Sequence, residues 1–417
     1  SIPEDVELEA VSDWELLGES VSRPDGRDIV TGSHTYPSDV RRPGMLYGKV
    51  LRGPYYHAQL ADIDTSGVSQ MKDVSVVRDG DFVGVAAPTK HRARKAISRL
   101  EEAANWEKSA LPPSTEIYGY LRENAEETPQ NPFQNEKSAA AESLSATYNA
   151  AYIAHAPLET RAGVAEWKDG ELTVWLHTRN PFGCRSQLAR ELGLSEDAVR
   201  VMVPDYGGGF GGNHSASAGL EAARISREVG APVKVKWTRR EEFLEGYFRP
   251  AAVIDAEASL DDSGDMTSWF FVNINSGGSA LNSPYQTGKQ QCTYVDSPSP
   301  LSQGSYRALA ATANNFAREA FMDELAGAAG RDPLEFRMAH LDNERIRAVL
   351  QSAAERFGWR KARGKDEPGV GAGLACGMEK GSVVAACAEV TVRDGELSVD
   401  RACEVFEAGA VLNPENL

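Results

Sequence analysis

Gly207-Gly208-Gly209-Phe210-Gly211-Gly212 places five glycines within six residues. Backbone without Cβ atoms enters φ > 0 freely and brings successive N–H groups close to a ligand, where they form a concave seat for anionic oxygen atoms. Residues 199–203 (Val-Arg-Val-Met-Val) alternate like a strand just upstream, and residues 217–229 carry Ala, Leu and Ile at helical spacing just downstream. A glycine loop between strand and helix is a common phosphate seat, because a helix start offers free N–H donors. The loop formally matches G-x-G-x-x-G, the dinucleotide fingerprint. A second parallel strand is available in residues 232–237, but Thr238-Arg239-Arg240 follows it in place of the acidic residue that binds a ribose, a pair of arginines that would suit a 2′-phosphate. Residues 253–260 and 266–275 then flank Asp261-Asp262-Ser263-Gly264, which is hairpin chemistry and not a repeated βαβ unit. A P-loop is excluded, since Asn213-His214-Ser215 stands where Gly-Lys-Ser/Thr is required. The bland alternative is a tight turn packed beneath a sheet.

Four further clusters carry polar groups suited to a site: His155-Ala156-Pro157-Leu158-Glu159, Thr178-Arg179-Asn180-Pro181-Phe182, Gln303-Gly304-Ser305-Tyr306-Arg307-Ala308-Leu309 and Glu379-Lys380-Gly381-Ser382. Each has an ordinary account when taken alone. Glu159 reads equally as a satisfied structural carboxylate, and Arg307 as an arginine paired with one.

The elements that would position these groups follow from periodicity. Residues 1–22 are acidic and read as an arm. Residues 23–106 read as an α/β unit with strands at 45–51, 74–77 and 81–87 and a helix at 89–106. Residues 107–143 hold Pro112-Pro113, Pro129 and Pro132 with little apolar period, and read as a surface connector. From 144 a larger unit begins, with strands at 163–167 and 171–177 joined by Lys168-Asp169-Gly170, a strong hairpin signal, and a helix at 180–192. Residues 314–330 form an amphipathic helix with Phe316, Ala320, Phe321 and Leu325 on one face. Asp332-Pro333 starts the next helix, and 348–357 is another. From 369 the texture turns to a glycine-rich loop, then to strands 386–392 and 396–405 about Arg393-Asp394-Gly395.

A net charge of −17 argues against a nucleic-acid surface and offers no basic membrane patch. No apolar run reaches membrane-spanning length. The five cysteines form no C-x-x-C, and the seven histidines no H-x₃-H or H-E-x-x-H, so no iron–sulfur cluster or protein-ligated metal is expected; a metal would arrive inside a cofactor. The start at Ser1-Ile2-Pro3 leaves open a removed leader and a periplasmic destination, or a cytoplasmic one.

Taken together and in this order, the glycine loop and the four clusters resemble the molybdenum-binding large subunit of the xanthine dehydrogenase/aldehyde oxidase family. The resemblance is strongest to the isoquinoline 1-oxidoreductase branch with its cytochrome-linked aldehyde dehydrogenases. The stretch from Asp25-Gly26 to Asp39, then Arg42-Pro43-Gly44-Met45-Leu46, resembles the family's hammerhead domain, so the likeness covers essentially the whole chain. It implies a mixed α+β and α/β fold: a hammerhead α/β domain at 23–106, a first molybdopterin-binding domain of mixed sheets and helices at 144–345, and the start of a second at 346–417. It also implies a molybdopterin cofactor carrying molybdenum, often the cytosine dinucleotide form in bacteria. The loop residues Gly208, Gly209, Phe210 and Gly211 would lie against it, with Tyr306, Arg307 and Ala308 beside it and Arg307 orienting substrate.

The implied reaction is water-derived hydroxylation of an N-heteroaromatic ring or oxidation of an aldehyde. Electrons would leave through an iron–sulfur subunit, with cytochrome c a further implied partner. Two residues depart from the family pattern: Arg179 stands where many members have Gln, and Asn213-His214 where the loop usually ends in Lys. The family's catalytic glutamate lies in a Gly-x-Gly-Glu loop near the far C-terminus. This sequence has no such loop; its nearest texture, Gly371-Ala372-Gly373-Leu374, has Leu in that place. A second chain, or a further C-terminal segment, is therefore expected to complete the site, and the chain alone is expected to be inactive. The alternatives are a cofactor-free scaffold of the same fold and an NAD(P) oxidoreductase built on the formal fingerprint.

Overall fold

Asp169 and Gly170 take left-handed φ values of 52° and 85°, the two-residue turn whose twist matches a hairpin. They fold strand Ala162–Lys168 against strand Glu171–Leu176. In the computed structural model, which describes residue 7, residues 9–365 and residues 367–417, a seven-stranded sheet grows from this hairpin. Its order is Val199–Met202, Glu171–Leu176, Ala162–Lys168, Val233–Lys236, Leu46–Val50, Phe82–Ala87, Ser75–Asp79. Residues 1–6 and 8 of the expected arm lie outside the described residues.

Three strands of the expected hammerhead segment join the seven-stranded sheet. Leu46–Val50 pairs in parallel with Val233–Lys236, so three strands from 46–87 extend the sheet built by 162–236. A Cβ on Gly48 would meet Val233 and Val235 side chains at 2.9 Å, so the missing side chain permits this close approach. Helices Pro181–Leu192 and Ser217–Val229 contribute Leu188, Ala189, Ala222 and Ile225 to one core with Leu172, Val174, Val233 and Val235. Helix Lys90–Ala103 packs Ala96, Ile97 and Leu100 with Val83 and Val85 in another. That helix stops three residues short of its expected end, and Ala104–Glu107 becomes a strand against Gln59–Ile63.

A parallel dinucleotide sheet around 199–237 is not formed. Two strands separate Val199–Met202 from Val233–Lys236, and the latter pairs antiparallel with Ala162–Lys168.

The second sheet runs Lys289–Val295, Met266–Ile274, Ala252–Leu260, Glu142–Ala150. The Asp261 carboxylate accepts from the N–H groups of Ser263 (2.9 Å) and Asp265 (3.0 Å) and closes the central hairpin. Helix Ala311–Ala328 lays Ala317, Phe321, Met322 and Leu325 into the core with Ile254, Trp269 and Phe271. Phe316, expected on that face, is exposed instead, while Arg318 and Glu319 are buried. Burial alone would raise the Glu319 carboxyl; Arg337 and Arg318, at 3.0 Å each, outweigh it and hold it below the usual range. Within 107–143, helix Ile117–Glu123 buries Leu121 with Val253 and Phe270, and Arg122 grips Asp255 through two bonds of 2.6 and 2.7 Å. The expected loop from 369 is strand Val370–Glu379, paired along its length with Ser382–Arg393, which in turn pairs with Glu396–Glu407. Leu374, Cys376, Val383 and Cys387 of this third sheet share the core of the second. No helix of the described residues is long and apolar enough to cross a membrane.

Candidate functional site

The glycine loop leaves strand Val199–Met202 and is anchored before it begins. The Glu159 carboxylate accepts from the Gly207 N–H (2.9 Å) and from the Ser38 N–H (3.1 Å), while the Glu159 N–H donates to the Gly207 carbonyl (3.3 Å). Glu159 is thus a loop anchor, as its ordinary reading allowed. Within the loop, Gly208, Phe210 and Gly211 take φ values of 97°, 51° and 100°. A Cβ on Gly211 would lie 2.6 Å from the Ser305 carbonyl oxygen, and glycine alone permits that approach. The N–H groups of Gly209, Phe210 and Gly211 have no partner among the described residues. The following helix starts only at Ser217, and the Ala216 N–H before it is taken by Gln187 (2.9 Å), so the anion-binding donors here belong to the loop and not to the helix start.

The opposing wall is the turn Ser305-Tyr306-Arg307-Ala308-Leu309. Ala308 and Leu309 are consecutive non-glycine residues at φ 63° and 54°. Left-handed backbone at such residues costs about 1–3 kcal/mol each and persists where surrounding structure enforces it. The enforcement is visible: Arg307 N–H donates to the Phe210 carbonyl (2.8 Å), and His155 Nε2 is 2.7 Å from the Ser305 carbonyl. Beyond the turn, Asn314 donates to the Ser279 carbonyl (2.9 Å) and Arg318 to the Ala280 carbonyl (3.2 Å), fixing the helix that carries it. The Ala308 N–H has no partner among the described residues.

A polar layer beneath the loop was not legible in the sequence. Buried Arg161 pairs with buried Glu242 and also donates to the Gly212 carbonyl, while the Tyr247 hydroxyl donates to the Gly211 carbonyl. Asn213 Nδ2 donates to the Gly208 carbonyl (3.1 Å) and contacts His177 Nε2, and the His177 ring stacks on Tyr206 at 4.5 Å. Burial pushes the His177 imidazole down to about 4, so it is neutral near pH 7. Burial likewise lowers His155.

Loop and turn enclose a cleft of about 650 Å³ lined by Gly208, Gly209, Phe210, Gly211, Tyr306, Arg307 and Ala308, all expected at the site. Arg179 from the second cluster and Glu379-Lys380 from the fourth complete it, with Tyr206, His214, Ser305 and Leu309. His155 and Glu159 of the first cluster lie behind the walls, as supports. Arg179, Arg307 and Lys380 have no ion-pair or hydrogen-bond partner for their side chains among the described residues. In a chain of net charge −17, cations gathered around free N–H groups make the cleft a local attractor for anions.

The molybdopterin cofactor-binding domain family matches residues 122–341, more than half the chain, and the matched segment contains the loop, the turn and their supports. The chain belongs to the molybdopterin cofactor-binding family. It is 28% identical to a nicotinate dehydrogenase subunit from Pseudomonas putida, over 100% of this chain and 40% of that protein. It is 26% identical to the beta subunit of isoquinoline 1-oxidoreductase from Brevundimonas diminuta, over 98% of this chain and 58% of that one. With the family match, these relatives support the resemblance to the xanthine dehydrogenase/aldehyde oxidase family read from the sequence, and the chain spans about half the length of the curated relatives it matches. The fold matches quinoline 2-oxidoreductase from Pseudomonas putida 86 with a TM-score of 0.72 at 19% identity, over 92% of this chain and 62% of the other.

The residues present fit an anionic, oxygen-rich cofactor. Free N–H groups at Gly209, Phe210, Gly211 and Ala308 and the cations of the cleft match phosphate and oxo oxygens in charge and donor sense. The one His/Asp/Glu cluster with metal-ligand spacing among the described residues is Asp25, His34 and Asp205, and Arg23 already pairs with both carboxylates.

Proposed function

We propose that this chain supplies one wall of the molybdenum-cofactor seat in a hydroxylase-type oxidoreductase acting on an N-heteroaromatic compound or an aldehyde. The observation that carries the reading is the paired glycine loop and left-handed turn, which leave four N–H groups free around a cationic cleft. When bound, the molybdopterin cofactor supplies two-electron redox chemistry with water as the oxygen source. The chain's part is to bind and position. Gly209, Phe210, Gly211 and Ala308 donate N–H bonds to the cofactor's oxygens. Gly208 and Tyr306 shape the walls. Arg179 and Lys380 offset its negative charge, and a cytosine dinucleotide form would add phosphates to that demand. Arg307, exposed in the cleft and unpaired among the described residues, orients the substrate and stabilises negative charge developing on it.

No Gly-x-Gly-Glu loop occurs here, so the general base comes from the complementary half of the enzyme, on this polypeptide or a second one. Electrons pass to iron–sulfur centres on a partner subunit, since the cysteines of this chain lie apart in sequence, and onward to an acceptor such as cytochrome c. The reading is tested on protein purified from its native host together with its bound partners. The expected result is one molybdenum per chain and a pterin released on denaturation. Arg307→Gln is expected to keep that content while slowing turnover by about 10²-fold, the usual cost of removing a charge-stabilising donor. A preparation with partners but without molybdenum or pterin would overturn it.

A further inference from the structure

Lys234 is a lysine at a place where the fold favours an aliphatic residue. It lies in strand Val233–Lys236, the middle strand of the seven-stranded sheet, between Tyr47 and Val164 of the neighbouring strands. Val233 and Val235 point into the core on one side of the sheet, so Lys234 points to the other. It is nevertheless only 4% exposed. No carboxylate reaches ion-pair distance of it among the described residues. Arg41, Lys90 and Lys236 lie nearby as like charges, and Asp39 turns its carboxylate to the Tyr36 N–H (3.2 Å) instead. Burial, with Arg41 and Lys90 beside it, pushes the Lys234 ammonium down to about 8. An ammonium buried without an acid costs stability that an aliphatic side chain would not. A buried charge held at such a cost points to a role other than stability.

Its hydrogen bond shows where that role lies. Lys234 Nζ donates to the Ser38 carbonyl (2.8 Å). Ser38 sits in the turn Tyr36-Pro37-Ser38-Asp39, closed by the Asp39 N–H donating to the Tyr36 carbonyl (2.8 Å). The Ser38 N–H donates to one oxygen of Glu159 (3.1 Å), and the other oxygen of Glu159 accepts from the Gly207 N–H (2.9 Å) at the first residue of the glycine loop. A Cβ on Gly207 would lie 2.7 Å from the Glu159 Cβ, so the carboxylate stem packs directly on the loop. Bonds of 2.8, 3.1 and 2.9 Å thus run unbroken from the centre of the sheet to the loop. The same segment touches the loop stem a second time: His34 Nε2 and Arg23 lie 2.9 and 3.4 Å from the Asp205 carboxylate, two residues before Gly207. Residues 23–39 therefore form a strap over the stem, and Lys234 ties that strap to the sheet.

We infer that Lys234 is a positioning residue for the glycine loop. It fixes the Ser38 turn, the turn holds Glu159 in line with the Gly207 N–H, and the free N–H groups of Gly209, Phe210 and Gly211 are aimed into the cleft before any cofactor arrives. The consequence for binding rests on the cofactor-seat reading above, whereas the relay is read from the chain's own hydrogen bonds. Donors held in place beforehand lose less freedom on binding, which raises affinity. Lysine suits the position because an ammonium gives the carbonyl a charge-assisted bond. Methionine fills a similar volume and donates nothing.

The test is hydrogen exchange on protein purified from its native host with its bound partners, comparing the native sequence with Lys234→Met. The expected result is exchange at least tenfold faster in residues 205–212, unchanged exchange in strands 163–167 and 171–175, and a thermal midpoint equal to or above the native one. Molybdenum should leave the variant at least tenfold faster on dialysis. Glu159→Ala cuts the relay between lysine and loop, so adding Lys234→Met to it should bring no further acceleration in residues 205–212. Native exchange rates in that segment, an additive effect in the double variant, or a Lys234→Met protein that is destabilised or unfolded throughout would each overturn the inference. Native protein without molybdenum or pterin would remove the cofactor-seat reading instead, and the exchange coupling between Lys234 and Glu159 would still decide the relay.

Discussion

Gly211→Ala probes the seam between the glycine loop and the Ser305–Leu309 turn. The new Cβ would lie 2.6 Å from the Ser305 carbonyl oxygen, 2.9 Å from its carbon and 3.0 Å from the Tyr306 Cα. All three are backbone atoms, so no side chain can swing aside. The residue also holds φ 100°, which an alanine adopts only at a cost of about 1–3 kcal/mol. Relief requires the two walls to part, and the bond from Arg307 N–H to the Phe210 carbonyl, 2.8 Å long, spans that gap. Losing it adds about 1 kcal/mol. The sum, roughly 2–4 kcal/mol, corresponds to about 30- to 1000-fold in cofactor affinity if the bound state requires the closed seam. The assay is molybdenum content of purified protein, with thermal unfolding alongside. Gly193→Ala is the control: it also holds a left-handed φ, 69°, but has open space around its Cβ position and caps a helix away from the cleft. It should cost a little stability and no molybdenum. Full molybdenum content in Gly211→Ala would refute the view that the seam forms the seat.

Four other substitutions have defined outcomes. Glu242→Ala should destabilise the fold by about 3–5 kcal/mol in denaturant unfolding, because it leaves the Arg161 guanidinium buried without its partner, and it should free the Gly212 carbonyl contact as well. His177 has its folded pKa lowered from 6.5 to about 4 by burial, so the unfolded chain takes up its proton first. Its contribution to stability is therefore complete above about pH 6.5 and is lost as pH falls toward 4; His177→Gln should flatten the urea midpoint across that window. Phe321→Ala empties a fully buried position of the second core and should cost about 3–5 kcal/mol, whereas Phe316→Ala, exposed on the same helix, should leave the unfolding midpoint of the isolated chain nearly unchanged.

Features set by short-range chemistry were legible in the sequence. The hairpins at Asp169-Gly170 and Asp394-Gly395 follow from residues that tolerate φ > 0, and Asp332-Pro333 caps its helix as such pairs do. Features set by distant partners were not. Gly371 and Gly373 suggested a loop, yet ten residues of pairing with the neighbouring strand outweigh their weak strand preference. Helical spacing alone could not say which border of helix Ala311–Ala328 faces the core, since Phe316 and Phe321 both read as part of the apolar stripe, while Glu319 is buried through its partners Arg318, Arg337 and Tyr285, and Arg318 through Glu319 and the Ala280 and Cys376 carbonyls. In the cleft, the glycine loop and the Tyr306-Arg307-Ala308 turn announce themselves by composition and order. Their supports, Arg161, Glu242, Tyr247 and His177, do not: each is a single polar residue whose role depends on a carbonyl or carboxylate brought to it by folding. A helix-start reading of the loop also failed, because Asn213-His214-Ser215-Ala216 intervene before Ser217.

The most direct test of the central claim is the molybdenum and pterin content of the protein isolated from its native host, measured by elemental analysis and by fluorescence of the pterin released on denaturation, for the native sequence and for Gly211→Ala. The account predicts one molybdenum and one pterin per native chain, and a marked loss of both in the variant. Native protein that carries its partners but neither molybdenum nor pterin would contradict it.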